Sequence, residues 1–271
     1  MKDIKINVRN IDEKFKEGLE STVYYYNDKE LYDTPVLYKR YKSIEYIKDY
    51  YGDISNNIFE NKHNKLLMIS NLNCFKDEVK ILDSGFEKNK FSGYTMIKSD
   101  LKPIKSTAWV NNKYNKRYLK PNKEELSIEE KIKYLKLIRN KIEKLNKNNI
   151  YIGNFNYDNF LVSDDINELK LCDLDNFKIG NYDFDSKTDS VKKFENVFMN
   201  DSEAMKGIDS YCFNIFTLAI LYDKSNFTIL RNLDDIELPS ALESIENDKI
   251  LESVKKLDKT YNPKFLIDKF R

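Results

Sequence analysis

The chain has 271 residues, of which 41% are hydrophobic and 34% charged. This length and apolar content are sufficient for one domain with a substantial core, to which 19 tyrosines and 16 phenylalanines contribute. Because 46 basic residues nearly balance 45 acidic ones, and both signs are scattered without a basic stripe, nucleic acid is not an expected partner and lysine-rich helices are interpreted as solvated faces.

Two further classes of protein are disfavoured. Cys74, Cys172 and Cys212 are odd in number and lack Cys-x-x-Cys spacing, so neither a disulfide framework nor a zinc site is expected. The amino terminus has no apolar signal region, and the apolar run at 213–221 is too short to cross a bilayer. We therefore expect a cytoplasmic protein with no membrane partner.

The first part of the chain is predicted to be rich in β-structure. The pattern of apolar residues predicts strands at 4–8, 15–18, 22–26, 35–41, 79–82 and 91–97. The second and third of these form a hairpin whose turn is Gly18-Leu-Glu-Ser21. One helix is predicted in this part, over residues 56–72.

The second part is predicted to be mainly helical. Residues 100–122, which include Trp109, read as a surface excursion between the two parts. A long helix follows the capping box Ser127-Ile-Glu-Glu130, and final helices are predicted over 240–258 and 263–270.

The most informative segment is residues 150–175. It reads as two short strands, each followed by a polar loop, and it brings Asn154, Asn159 and Asp173 to one place. Their oxygen atoms suit Mg²⁺ bound to phosphates, because this ion takes one or two protein groups and completes its shell with water and nucleotide. The sequence therefore predicts Asn159 and Asp173 as magnesium ligands.

This spacing resembles the catalytic and metal-binding loops of the protein kinase-like superfamily, in which Asp-x-x-x-x-Asn is followed after a short hairpin by Asp-Phe-Gly. Residues 154–159 correspond to the first motif and 173–175 to the second. Val36-Leu-Tyr-Lys39 resembles the Val-Ala-Ile-Lys strand, whose lysine contacts the α- and β-phosphates. The segment at 209–221 is similar to the Asp-x-Trp-Ser-Phe-Gly helix, which implies that Asp209 braces the catalytic loop.

The resemblance covers nearly the whole chain and implies an α+β, two-lobed protein kinase-like fold. Residues 1–98 would form an N-lobe of antiparallel sheet plus one helix, and residues 99–271 a small, mostly helical C-lobe. The implied cofactors are ATP and Mg²⁺, and the implied partner is a protein substrate or a protein ligand. The implied nucleotide-binding residues are Gly18 and Val23 of the hairpin, Lys39 with Glu60 as its helix partner, Met96 behind the nucleotide, and Ile97 and Lys98 in the hinge.

One position departs from the family pattern. Asn154 stands where the catalytic aspartate would accept the proton of the acceptor hydroxyl. An amide can hold a hydrogen bond but cannot take a proton at neutral pH, and general-base catalysis contributes about 10²–10⁴-fold. Three explanations are open: Asn154 is the natural residue, Asn154 is an engineered Asp→Asn change that silences the enzyme, or another acid serves as the base. Of the nearby acids, Asp158 lies on the metal side of the loop, and Asp175 is expected to bind a second metal or to cap the turn.

Three functions are open on these grounds. A kinase for Ser/Thr hydroxyls of proteins, altered only at its base, is favoured because Lys39, Asn159 and Asp173 are all intact. A catalytically silent nucleotide-binding scaffold (a pseudokinase) and a small-molecule kinase of the aminoglycoside or choline type are the alternatives, the third being disfavoured by the short region after Leu221.

The resemblance also bears on regulation. Gly153 replaces the arginine that reads a phosphorylated activation loop, so activity is not expected to depend on such phosphorylation. The activation loop would be residues 180–205, in which the candidate modification sites are Ser186, Thr188, Ser190 and Ser202.

Overall fold

The structure is a computed structural model, and it describes residues 1–51, 56–104, 126–185, 187–198, 204–223, 226–231 and 265–269. Trp109, most of the predicted surface excursion and the predicted helix at 240–258 lie outside these residues, as do Ser186, Ser202 and most of the region after Leu221. The predicted helix at 263–270 is described only over 265–269, where Leu266–Lys269 forms one 3₁₀ turn.

The described residues form a mixed α+β fold built on a six-stranded sheet. The strands of this sheet are β1 (Asp3–Lys5), β2 (Ile11–Glu17), β3 (Ser21–Tyr26), β4 (Val36–Tyr41), β5 (Ile81–Glu87) and β6 (Lys90–Met96). Their spatial order is β1-β5-β6-β4-β3-β2.

The prediction of a wholly antiparallel sheet is wrong at one edge. β1 pairs with β5 in parallel, whereas every other neighbouring pair is antiparallel. The chain crosses from β1 at one edge to β2 at the other, and this crossing places Ile6 against Tyr26, Val36 and Tyr38 in a small core on one face of the sheet. The parallel pairing of β1 with β5 and the burial of Ile6 thus occur together in this structure.

Six helices occur among the described residues: α1 (Ile44–Tyr51), α2 (Ile58–Asn71), α3 (Ile128–Asn146), α4 (Asp189–Phe198), α5 (Ile208–Leu221) and α6 (Asn226–Arg231). The predicted helix at 56–72 corresponds to α2, and α1 is an addition that the sequence did not indicate. α3 begins at the predicted capping box, since Ser127 Oγ accepts from the Glu130 N–H and the Glu130 carboxylate accepts from the Ser127 N–H.

The largest core lies among the helices. All fourteen residues of α5 are buried, as expected of a helix that is apolar on every side. α3 packs against it through a stripe that includes Leu135, Ile138 and Ile142. Within the described residues, none of the helices combines the length and the apolar character that a membrane span requires.

Short strands position the polar loops between α3 and α4. These strands are β7 (Lys102–Pro103), β8 (Ile150–Tyr151), β9 (Phe160–Val162), β10 (Leu169–Leu171) and β11 (Lys178–Ile179). β9 pairs with β10 and β7, and β8 pairs with β11, all antiparallel. The loop after β8 and the turn after β10 are thereby placed side by side, and the Cys172 N–H donates to the Asn159 carbonyl at 3.1 Å.

Candidate functional site

Lys39 joins the large sheet to the turn that follows β10. Its Nζ donates to Asp173 Oδ1 at 3.1 Å and to Asp175 Oδ1 at 2.8 Å. Burial alone would lower the pKa of Lys39, but Asp173 and Asp175 outweigh it and raise the pKa above the ordinary value. Lys39 is therefore a buried ammonium group held by two carboxylates.

Asp175 is the buried counterion of this site. Its Oδ1 accepts from Lys39 and from Tyr94 Oη, and its Oδ2 accepts from Lys62 and from Tyr41 Oη. Burial would raise the pKa of Asp175, but Lys39 and Lys62 hold it below its usual range. Each oxygen already accepts from two donors. Asp175 therefore neither binds a second metal nor caps the turn, which were the two roles expected for it.

α2 contributes Lys62 rather than Glu60 to the site. Lys62 is 0% exposed and lies 3.1 to 3.2 Å from carboxylate oxygens of Glu20, Asp175 and Asp185. Glu60 is exposed, because it lies two positions before the buried Lys62 and residues two positions apart in a helix point to nearly opposite sides of the axis. The predicted ion pair of Lys39 with Glu60 is not formed.

Asp173 presents a carboxylate oxygen to solvent. Its backbone is left-handed, with φ 56° and ψ 36°, a conformation that aspartate adopts more readily than most residues and that five other non-glycine residues share among those the structure describes. The side chain is 42% exposed although Oδ1 accepts from Lys39. A cation can therefore reach its second oxygen from solvent.

Side-chain amides fix the loop between β8 and β9. Asn159 is 4% exposed, and its Nδ2 donates to the Asn154 carbonyl at 2.9 Å, which turns its oxygen to the other side of the amide. Asn156 Nδ2 donates to Asn154 Oδ1 at 3.0 Å. Asn154 is thus held through both its backbone and its side chain, and it is only partly buried.

Asp209 of α5 holds the start of the same loop through hydrogen bonds to its backbone. Its carboxylate accepts from the N–H groups of Ile152 at 3.0 Å and Gly153 at 2.9 Å. These are the hydrogen bonds expected of a side chain that braces this loop. Asp209 is 0% exposed, and burial raises its pKa to about 7 against the opposing effect of the two N–H groups.

Gly153 can be replaced by no other residue without strain. Its φ is +62°, and the ring of Phe184 occupies the space where a Cβ would lie. An arginine, which the protein kinase-like proteins that this loop resembles carry here, has no room in this backbone. Of the candidate modification sites that the structure describes, Ser190 is 4% exposed, and the Thr188 hydroxyl accepts from the Val191 N–H at the start of α4.

The Gly18 N–H of the β2–β3 hairpin is not free, unlike those of a glycine-rich loop that binds phosphate. The Gly18 N–H donates to the Ser21 carbonyl at 2.8 Å. A Cβ on Gly18 would lie at an ordinary 3.4 Å from the same oxygen, so the turn does not require glycine. Val23 pairs with Lys39 across β3 and β4, so the two side chains share one face of the sheet, as the resemblance implies.

The predicted hinge residues follow β6 directly. Met96 ends that strand and is partly buried, while Ile97 is 45% exposed. The Ile97 N–H donates to the Lys80 carbonyl at 2.9 Å, so this donor is not free for adenine. Lys98 Nζ donates to Tyr25 Oη at 3.2 Å and thereby contacts the hairpin.

Several charged residues of the site were not predicted. These are Lys16, Glu20, Lys62, Lys65 and Asp185, together with the hydroxyl donors Tyr41 and Tyr94. The signal for two of them was present in α2. Lys62 and Lys65 fall at helical spacing within the buried stripe formed with Ile58, Leu66 and Ile69, so their position contradicts the interpretation of these lysines as a solvated face.

The donor set fits Mg²⁺ carried by a phosphate ligand. Among the residues that the structure describes, no three His, Cys, Asp or Glu side chains are grouped to hold a metal by protein ligands alone. Magnesium bound to nucleotide phosphates needs only one or two protein oxygens, which Asp173 and Asn159 would supply. Comparison with known proteins gives no family assignment, since no protein-family model and no curated protein matches this chain.

Proposed function

We propose that this chain is an ATP- and Mg²⁺-binding phosphotransferase of the protein kinase-like type, acting on Ser/Thr hydroxyls of a protein, with Asn154 at the position of the base. The observation that carries the proposal is the contact of Lys39 Nζ with Asp173 Oδ1 at 3.1 Å, between residues 134 positions apart. Phosphoryl transfer depends mainly on the placement of a lysine and of metal-binding groups around the phosphates.

The same proposal includes a two-lobed architecture, with residues 1–98 as the first lobe and 99–271 as the second. Support comes from the distribution of apolar side chains. Two small cores lie within the first 96 residues, on the two faces of the large sheet, whereas the largest core draws mainly on residues from Ile104 onward. The candidate site lies between these cores.

Each residue has a role that follows from its position. Lys39 would bind phosphate oxygens while Asp175 keeps it charged and in place. Asp173 and Asn159 would hold Mg²⁺, which when bound neutralises charge on the transferred phosphoryl group. Asn154 would accept a hydrogen bond from the acceptor hydroxyl without taking its proton. Asp209 keeps the loop in a fixed conformation.

A second candidate is a catalytically silent nucleotide-binding scaffold. It is favoured by Asn154, because an amide cannot take the proton of an acceptor hydroxyl at neutral pH and its side-chain oxygen already accepts one hydrogen bond, from Asn156. In this function the bound nucleotide stabilises the fold, and a partner protein binds the stabilised form.

Binding is tested first, by thermal unfolding with and without MgATP. A ligand that binds only the folded state raises stability by RT ln(1 + [L]/Kd), so a concentration-dependent increase in Tm is expected. Asp173→Asn should reduce the increase and remove its dependence on Mg²⁺. Asp268→Asn is the matched control, because Asp268 is a 45% exposed side chain in a surface ion pair with Arg139 of α3. Absence of any increase in the wild type would remove both candidates.

Transfer is tested with Asn154→Asp and labelled ATP. A carboxylate oxygen can accept the Asn156 hydrogen bond in the same way, so the loop should keep its conformation. The expected result is labelling of a protein substrate or of the chain itself, faster than in the wild type by about 10²–10⁴-fold. If this variant binds MgATP but transfers no phosphate to any protein in a cell extract, the silent scaffold is the function that stands.

A further inference from the structure

The β2–β3 hairpin places a lysine side chain over the site. Lys16 on β2 pairs with Val23 on β3, and Val23 pairs with Lys39 on β4. Directly paired residues of neighbouring strands project to the same face of a sheet, so the three side chains form a row. Both lysines of this row are therefore directed at the loops that carry Asn159 and Asp173.

The ammonium group of Lys16 reaches the loop between β8 and β9. Its Nζ lies 3.7 Å from Asp158 Oδ2, and the two side chains are 29% and 28% exposed. Asp158 directly precedes the proposed magnesium ligand Asn159. The hairpin and the loop thus meet at Lys16, on the side of the site that remains open to solvent.

Lys16 is less firmly held than Lys39. Burial alone would lower its pKa, but Asp158 and Asp173 outweigh burial and raise the pKa, so the side chain is charged. Its one ion pair, with Asp158, is partly exposed and longer than a hydrogen bond, and such pairs contribute little to stability. An incoming anion can replace Asp158 as the partner of Lys16 at little cost.

We propose that Lys16 binds the terminal phosphates of a nucleoside triphosphate and takes over the role of the Gly18 amide group, which the turn itself uses. This inference rests on the proposed function. The Gly18 N–H is used within the turn, so a phosphate beneath the hairpin would otherwise face no donor from that residue. A lysine ammonium supplies a mobile point charge with three donors, which suits phosphate oxygens at the edge of an open site.

The test compares Lys16→Met with Lys14→Met in titration calorimetry with MgATP and with adenosine. Lys14 lies on the same strand but is 49% exposed and paired with Glu17, which makes it the matched control. Because a hydrogen bond to a charged group is lost, Lys16→Met should weaken MgATP binding by roughly tenfold or more. Adenosine binding should not change, Lys14→Met should bind both ligands like the wild type, and Lys16→Arg should retain most of the MgATP affinity.

The outcomes separate this inference from the proposal on which it rests. If the wild type binds MgATP and Lys16→Met binds it equally well, the inference is wrong and the proposed function stands. Equal weakening of MgATP and adenosine binding would indicate a structural role for Lys16 and would also overturn the inference. If the wild type binds no MgATP, the proposed function fails and the inference fails with it. Should Lys16→Met not fold, Lys16→Gln serves in its place.

Discussion

Lys62 of α2 and Asp175 of the turn after β10 are both 0% exposed, and their charged groups lie 3.1 Å apart. They belong to a buried ion cluster that consists of Lys39, Lys62 and Lys65 with Glu20, Asp175 and Asp185. The cluster ties the hairpin turn, α2 and the segment before α4 to one another. α2 is thereby held against the site by the charges of side chains on other elements.

Removal of the charge at the centre of this cluster should destabilise the fold. Asp175→Asn keeps the shape of the side chain but leaves Lys39 and Lys62 without their shared counterion. Breaking a buried pair from one side costs about 3–5 kcal/mol of unfolding free energy. Urea unfolding monitored by circular dichroism measures this change, and the exposed variant Asp77→Asn should unfold like the wild type.

The same variant tests how the unfolding free energy depends on pH. The folded-state pKa of Asp175 is lowered, so its stabilising effect is fully present above the unfolded pKa of about 4 and is lost as the pH falls toward the folded value. The difference in unfolding free energy between wild type and Asp175→Asn should therefore be constant from about pH 5 to about pH 7, because this interval begins about one pH unit above the unfolded pKa. A difference that grows on acidification would contradict this assignment.

Two substitutions on α2 separate the observed site from the one that the family resemblance implied. Glu60→Gln should change the unfolding free energy by no more than about 0.5 kcal/mol, because the side chain is exposed. Lys62→Met should cost about 3–5 kcal/mol, because it leaves the carboxylates of Glu20, Asp175 and Asp185 close together without a central cation. Paired chemical unfolding curves provide the comparison. A larger effect at Glu60 than at Lys62 would favour the implied pair with Lys39.

Two glycines should respond oppositely to alanine. Gly153→Ala is expected to cost at least about 1–2 kcal/mol, because a left-handed backbone disfavours a Cβ and the Phe184 ring must also move. Gly18→Ala should be neutral or stabilising by about 0.4–1 kcal/mol, since its backbone accommodates a Cβ. MgATP affinity should be unchanged in Gly18→Ala, because the N–H of residue 18 already serves the turn. Thermal unfolding and calorimetry test both statements, and a large loss of nucleotide affinity at Gly18 would show that the hairpin backbone contacts phosphate.

Local patterns were sufficient to predict much of this arrangement. Alternation and helical periodicity identified the hairpin, the strand that carries Lys39 and the capped start of α3, because these features depend on neighbouring residues. The order of short motifs also brought Lys39 and Asp173 together correctly. The partner of β1 could not be predicted in this way, since alternation identifies a strand but not the strand beside it.

The ion cluster was beyond such patterns for a different reason. In a chain with 46 basic residues a lysine is normally solvated, and only the burial of its neighbours on the same helical stripe distinguishes Lys62 and Lys65. Their carboxylate partners lie far away in sequence, in a hairpin turn and in two loops. A charge that is stabilised only by tertiary contacts has no local signature, so the sequence pattern points to Glu60, the acidic residue of the helix, rather than to Lys62.

Asp209 should impose a pH dependence of the opposite sign to that of Asp175. Burial raises its folded pKa to about 7, whereas an unfolded aspartate titrates near 3.9. Between these values the folded state binds the extra proton, so stability falls as the pH rises from about 4 to about 7. Asp209→Asn retains an oxygen to accept from the Ile152 and Gly153 N–H groups but does not titrate. Relative to this variant, the unfolding free energy of the wild type should decrease by up to about 4 kcal/mol across that interval, as measured by urea unfolding at a series of pH values. Parallel profiles for the two proteins would mean that Asp209 is ionised throughout, with its three hydrogen bonds outweighing the effect of burial.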